Sequence, residues 1–339
     1  MRELTFIEPH RVEFRERPAP RIEAAGEALV RPLAVSRCDL DFAIAAGKAP
    51  FEGPFGLGHE CVGEVVEVGS GVTRVKPGDR VVVPFQISCG ACERCLKGQT
   101  GSCKSVPKMA AFGLAPFSGT EYGGAVADLI KVPFADPMLV QLPAGLDPVA
   151  AAGLGDNAID GLRTVRDALA RAPGAKVLVA GGGAASIGLY AVAAARTLGA
   201  SEVVYVDVSE ERAALAERLG AKAVVQKYDD ALKVGRFPIT VDASSRAEGL
   251  KFCIASTDVS GTCTSVGIYF EDVALPLLHM YTRGMTFVTG RVDLRRDLPA
   301  GIELAQKGWD LKTVATRVVD WEHAPQAWLE PSPKLVIKR

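Results

Sequence analysis

A chain of 339 residues with 48% hydrophobic residues is long enough for two domains, each with its own core. Lysine and arginine total 39 against 40 for aspartate and glutamate, and the net charge of -1 gives no general electrostatic reason to bind nucleic acid or an anionic membrane; small-molecule partners are expected instead. The start of the chain, Met1 to Pro20, interleaves charged with apolar residues and lacks the apolar core of a secretory signal, which predicts a cytoplasmic protein.

From Leu4 to about Val35 the pattern is short and strand-like, broken by Pro9, Pro18, Pro20, Gly26 and Pro32, as in an irregular antiparallel region. Cys38 then stands beside Asp39 and Asp41. Further on, Gly58-His59-Glu60 opens a strongly β-prone run from Cys61 to Gly69. Val72, Val75, a turn from Pro77 to Arg80 and the run Val81 to Val83 follow, so strands curling into a barrel-like sheet are expected. Beyond a cysteine-rich loop, Gly123-Gly124 leads into a strand-like run from Ala125 to Val132, closed by Pro133.

Near Pro143 the character changes. From Pro148 the chain is Ala-rich and helical, and Arg171 to Lys176 reads as a turn feeding a strand from Val177 to Ala180. A helix to about Leu198, a strand from Val203 to Val208 and a helix from Glu210 to Leu219 come next, with Gly199 and Gly220 as stops. Ser209 fits the N-cap, and Glu210 and Glu211 suit the positive end of that helix. Further strands are expected at 223–225, 239–243, 262–266 and 285–289, with a helix near 248–256. This alternation implies a parallel, doubly wound sheet. The uncharged window from Val177 to Ala195 approaches the length of a bilayer span, but Gly181 to Gly183 divide it into a strand and a helix, so no membrane partner is expected. The α/β chain so read has a β-rich domain of residues 1–147 and 291–339, with a lobe at 86–106, and a doubly wound domain of residues 148–290.

Within that lobe, Cys89, Cys92, Cys95 and Cys103 lie among Gly90, Gly98 and Gly101, which let the backbone turn back on itself. Two-residue gaps allow thiolates to converge on one tetrahedral centre, and four thiolates form the closed, structural kind of zinc site. A ferredoxin-type loop would bring the fourth cysteine three residues on, followed by proline; here the gap is seven and Lys104 follows. Disulfides would need an oxidising compartment. Cys61, Cys253 and Cys263 sit in apolar runs and are expected to be packing residues.

The glycines Gly181 and Gly183 fall at a strand-to-helix junction, where a pyrophosphate can approach backbone N–H groups and the helix dipole. The third glycine of the usual fingerprint would be position 186, which is serine; Gly188 restores the pattern if the turn is two residues longer. Asp207, at the end of the next strand, stands nineteen residues after Gly188 and suits the adenosine ribose hydroxyls, so NAD is favoured over NADP. Ser186, Ile187 and Arg212 complete the candidate cofactor contacts.

This order of parts resembles the zinc-dependent alcohol dehydrogenases of the medium-chain dehydrogenase/reductase family, nearly end to end. The resemblance rests on Cys38 with Asp41, on Gly58-His59-Glu60, on the four-cysteine loop and on the glycine-rich turn with Asp207. It implies a GroES-like catalytic domain built from both ends of the chain, a Rossmann domain between, two zinc ions per chain, an alcohol, polyol or aldehyde substrate, and homodimers or homotetramers. By the same resemblance Cys38 and His59 are ligands of a catalytic zinc, Asp156 takes the third position where the family commonly has cysteine, and Asp41 orients His59; Glu60, adjacent to His59, is placed to serve as a transient ligand or to hold a bound water. Thiolate, imidazole and carboxylate leave the same formal charge as two thiolates and an imidazole, and three protein ligands leave a fourth position open. The family usually carries Ser or Thr two residues after the ligand cysteine to pass on the alcohol proton; this chain has Leu40. Within the fold two other readings compete, a reductase with the structural zinc alone and a non-catalytic nucleotide-binding protein.

Overall fold

The computed structural model describes residues 1–229 and 234–339. Its strands are β1 (Arg2–Glu8), β2 (Arg11–Glu16), β3 (Ala28–Ser36), β4 (Phe55–Gly56), β5 (Glu60–Val68), β6 (Arg80–Val83), β7 (Ile130–Val132), β8 (Val140–Gln141), β9 (Val177–Ala180), β10 (Val203–Asp207), β11 (Lys222–Val225), β12 (Phe237–Asp242), β13 (Thr257–Ser265), β14 (Thr286–Thr289), β15 (Arg317–Asp320) and β16 (Leu335–Lys338). The chain divides into two compact units: Met1–Ile159 with Val292–Gln306 and Ala315–Arg339, and Asp160–Arg291 with Lys307–Val314.

In the first unit a mixed sheet runs β15-β16-β3-β5-β6-β8, with β7 also paired to β3, beside a small antiparallel sheet β2-β1-β4. β3 is buried along nearly its whole length because it has neighbours on both edges, and its Val30, Ala34 and Val35 are fully excluded from solvent. Register decides what lies at its end. Ser36 pairs with Glu60 of β5 and with Val336 of β16, which brings the residues after β3, those before β5 and those before β16 to one place. The strand expected from Ala125 to Val132 is formed only as β7. Gly123 has φ of 82°, and a Cβ on Gly124 would overlap the backbone of Leu57, so the chain turns there; Ala125 and Val126 instead donate N–H bonds to Gly58 and Leu57 carbonyls.

Among the described residues of the second unit six strands, all parallel, run β11-β10-β9-β12-β13-β14. Chain order reverses direction between β9 and β12, the switch point where open α/β sheets bind ligands. Helices Ala185–Thr197, Glu210–Arg218 and Ala247–Ser256 follow β9, β10 and β12. The central strands β9 and β10 are wholly buried, as their unbroken apolar runs require, and Ser209 caps its helix by accepting from the Arg212 N–H at 3.3 Å. β13 begins at Thr257, ahead of the expected 262, because Phe237 pairs with Thr257 across a register shift. Trp309 belongs to this unit, its indole N–H reaching the Tyr190 carbonyl at 3.3 Å.

Candidate metal and nucleotide sites

Cys38 is the N-cap of the helix Asp39–Ala45, one residue beyond Arg37, whose backbone N–H is bonded to the Leu335 carbonyl. His59 and Glu60 enter from the start of β5. Asp156 arrives on the 3-10 turn Ala152–Gly155, which packs so closely on β5 that a Cβ on Gly155 would come within 2.8 Å of the Cys61 nitrogen. One ligand atom from each of Cys38, His59, Glu60 and Asp156 lies within 4.8 Å of the other three, and all four residues are buried. A zinc tetrahedron with bonds of roughly 2.0–2.3 Å has edges of roughly 3.3–3.8 Å, so the donor set fits the ion.

The imidazole lies between two carboxylates, bonded on the Asp156 side and only approached on the Asp41 side. Its Nε2 lies 3.3 Å from Asp156 Oδ2 and its Nδ1 3.5 Å from Asp41 Oδ1, while Asp41 Oδ2 accepts the Cys38 backbone N–H at 3.1 Å. Burial would lower the His59 pKa, but the Asp41 and Asp156 carboxylates outweigh it and lift it to about 9. Burial, reinforced by the surrounding carboxylates, drives the Cys38 thiol well above its ordinary value. Burial likewise raises the Glu60 carboxyl, with Lys334 pulling the other way. A thiol and carboxyls buried this close ionise together only with a cation among them. The Phe85 ring, 5.5 Å from that of His59, forms an apolar wall.

Cys89, Cys92, Cys95 and Cys103 also bring their sulfurs within 4.8 Å of one another. Backbone N–H groups of Cys89 and Ser105 point at Cys103 Sγ (both 3.4 Å), that of Cys92 at Cys89 Sγ (3.3 Å) and that of Lys104 at Cys92 Sγ (3.4 Å), an arrangement that stabilises thiolates. The loop is tied down by Gly101 N–H to Asp293 Oδ1 at 2.9 Å.

In the second unit the Gly181–Gly183 turn lies against the end of β12, where Gly183 and Ala184 donate to the Ser244 and Ala243 carbonyls. A Cβ on Gly181 would overlap Tyr205 Oη and Asp207 Oδ2, and one on Gly182 would come within 2.6 Å of the Ser244 carbonyl oxygen. Ser186 and Ile187 are in the first turn of Ala185–Thr197, the end that attracts phosphate. Gly188 is one turn further in, 3.2 Å from Ala243 Cβ were it alanine; its part is close packing of helix on sheet rather than the turn itself. Asp207 closes β10, buried. Arg212 grips it with two bonds of 2.6 and 2.7 Å, Tyr205 Oη donates at 2.7 Å and Ser209 N–H at 3.0 Å. Burial would raise this carboxyl; Arg212, Tyr205 and Ser209 together bring it below its ordinary range.

Sequence reading passed over Ser36, Arg37, Asn157, Lys334 and Tyr205, all buried around these clusters. Asn157 could have been noticed as the residue next to Asp156. Lys334 is a lone cation ahead of the apolar run Leu335 to Ile337, and that pattern fits an exposed strand start equally well.

Residues 24–144 match the alcohol dehydrogenase GroES-like domain and residues 186–307 the zinc-binding dehydrogenase domain. An alcohol dehydrogenase of Geobacillus stearothermophilus is 32% identical over 89% of this chain and 88% of its own length. An L-threonine 3-dehydrogenase of Streptomyces coelicolor is 32% identical over 88% of this chain and 86% of its own. Among solved structures, alcohol dehydrogenase TADH from Thermus sp. ATN1 superposes with a TM-score of 0.88 at 28% identity, covering 100% of this chain and 99% of that one. With its GroES-like and Rossmann parts and its two candidate metal clusters, the chain is a member of the zinc-dependent alcohol dehydrogenases of the medium-chain dehydrogenase/reductase family, an oxidoreductase of the zinc- and NAD(P)-dependent kind.

Proposed function

We propose that this chain transfers a hydride between a small alcohol, polyol or aldehyde and NAD, with the first unit as the catalytic domain and the second as the nucleotide domain. The observation that carries the reading is the convergence of Cys38, His59 and Asp156, remote in sequence, on one buried point. These three hold the catalytic ion and Cys89, Cys92, Cys95 and Cys103 a structural one. Zinc at the first site, when bound, supplies a Lewis acid for the substrate oxygen. Asp41 fixes the ring of His59, and Phe85 keeps that side of the imidazole dry. Leu40 offers no hydroxyl, so the alcohol proton leaves by another route than the family's usual one. For the cofactor, Gly181, Gly183 and the first turn with Ser186 and Ile187 receive the pyrophosphate, and Asp207, steadied by Arg212, the adenosine ribose.

A homo-oligomer is part of the proposal. β14 ends its sheet, and Leu277, Leu278 and Tyr281 just before it are 66%, 76% and 84% exposed. A cytoplasmic location accords with the fact that no helix among the described residues is long and apolar enough to cross a membrane. The test is metal analysis together with an NAD-linked screen of alcohols, polyols and aldehydes: two zinc ions per chain and NADH formation are expected. One zinc per chain would favour the reductase reading, and two zincs without turnover on any member of a broad panel would favour the non-catalytic one.

A further inference from the structure

The anionic side chains around Cys38 outnumber what one dication can balance. As a thiolate and three carboxylates, Cys38, Asp41, Glu60 and Asp156 carry four negative charges in one buried volume. Two buried cations are near. Arg37 turns away, donating to the carbonyl oxygens of Ala327, Trp328 and Glu330 and to Ser332. Lys334 turns inward: its fully buried ammonium lies 2.6 Å from Glu60 Oε1 and 2.8 Å from Asn157 Oδ1.

Two consequences follow from the chemistry of an ammonium, which only donates. Asn157 must present its carbonyl oxygen to Lys334, so its NH2 faces Cys38 Sγ at 3.3 Å and Asp156 Oδ2 at 3.0 Å. Glu60 is caught at both oxygens, Oε1 by Lys334 and Oε2 by the Ser36 hydroxyl at 2.7 Å. Glu60 nonetheless lies within ligand range. A fourth protein ligand would close the site, whereas a catalytic zinc keeps one position for substrate.

Resting on the assignment of Cys38, His59 and Asp156 as ligands, we propose that Lys334 is a positioning residue: it holds Glu60 off the ion, keeping the fourth position open, and turns the Asn157 amide onto the two anionic ligands.

The test uses the full chain with cobalt in place of zinc, reading the visible spectrum that depends on Cys38 (parent minus Cys38→Ala), its response to added azide, and the rate of metal loss to a chelator. In the parent, azide enters the open position and shifts the bands. In Lys334→Met, Glu60 fills that position, the azide response disappears and kcat/KM falls 10- to 100-fold, the range for a residue that orients ligands. Glu60→Gln added to Lys334→Met restores the azide response, while metal loss stays about 10-fold faster than in the parent because Asn157 is no longer turned. A Lys334→Met protein that responds to azide like the parent overturns the proposal. Should that variant fail to fold through its unpaired Glu60, the double variant decides, and metal loss at the parental rate overturns it. A parent with no Cys38-dependent cobalt band would instead overturn the ligand assignment beneath it.

Discussion

Replacing Asp207 with asparagine keeps the volume and removes the charge, so its cost can be worked from the bonds around it. The carboxylate accepts four hydrogen bonds, two from Arg212 at 2.6 and 2.7 Å, one from Tyr205 Oη at 2.7 Å and one from Ser209 N–H at 3.0 Å. An amide has one acceptor oxygen, and because Arg212 donates to both carboxylate oxygens the NH2 meets an Arg212 N–H in either orientation, donor against donor. Hydrogen bonds to a charged group contribute about 1.5–3 kcal/mol each, and breaking a buried pair costs about 3–5 kcal/mol. The Arg212 side chain is 24% exposed and recovers part of its loss from water, which leaves about 3 kcal/mol. At roughly 2–4 °C per kcal/mol for a domain of this size, Tm falls by about 6–12 °C. The pH dependence has a definite sign. A carboxylate whose folded pKa lies below its unfolded value stabilises above that unfolded value, near 3.8, and loses the contribution as pH falls through the folded one. The gap in Tm between parent and Asp207→Asn is therefore constant from about pH 5 to 8 and closes only in acid below about pH 4. Thermal melts followed by circular dichroism across that range measure it, and NAD titration should show binding about 10-fold weaker through the lost ribose contact. A Tm within about 1 °C of the parent at pH 7, or a gap that closes between pH 6 and 8, would refute the reasoning.

Gly181→Ala overlaps Tyr205 and Asp207 and should abolish measurable NAD binding, whereas Gly188→Ala, with its nearest neighbour at 3.2 Å, should weaken it by less than about 10-fold; isothermal titration compares the two. Asp156→Ala should reduce bound zinc from two ions to one per chain while the four-cysteine ion stays, as measured by atomic absorption, and retention of both would remove Asp156 from the ligand set. Cys95→Ser should lower Tm and release the structural ion first, with Cys38-dependent cobalt bands intact. Leu40→Ser should leave the pH profile of hydride transfer unchanged, since the proton already travels by another route; a shifted profile would show that a hydroxyl at position 40 takes over the proton and that the existing route is not sufficient.

What was legible in the sequence was local. The four cysteines share one loop, so their spacing alone describes a metal cage, and Gly181, Gly183 and Asp207 are separated by a single strand-turn-helix-strand whose geometry is nearly invariant. The positions of β9 and β10 were readable because buried parallel strands are nearly unbroken apolar runs, whereas the start of β13 at Thr257 was not, since it depends on pairing with Phe237 of β12. The run from Ala125 to Val132 misled because alternation of apolar residues does not register the close approach of Gly124 to Leu57. Gly188 was readable as part of the fingerprint, but choosing close packing as its part needs the position of Ala243, just past the end of β12.

The buried charges around Cys38 were illegible for a different reason. Lys334 meets Glu60 only because Ser36 pairs with Glu60 on one side and Val336 on the other, a register set over three strands and 274 residues of separation. Slipping β16 by one residue would turn its side chains to the opposite face and leave Glu60 unpaired in the interior. The ion pair and the register thus specify each other: the apolar run Leu335 to Ile337 demands burial, and the lysine before it can be buried only where a carboxylate is already waiting. The metal site proposed around Cys38, assembled from such distant parts, is therefore a property of strand pairing, and a slip at the C-terminal strand would be felt at Cys38 as directly as a change to the proposed ligands themselves.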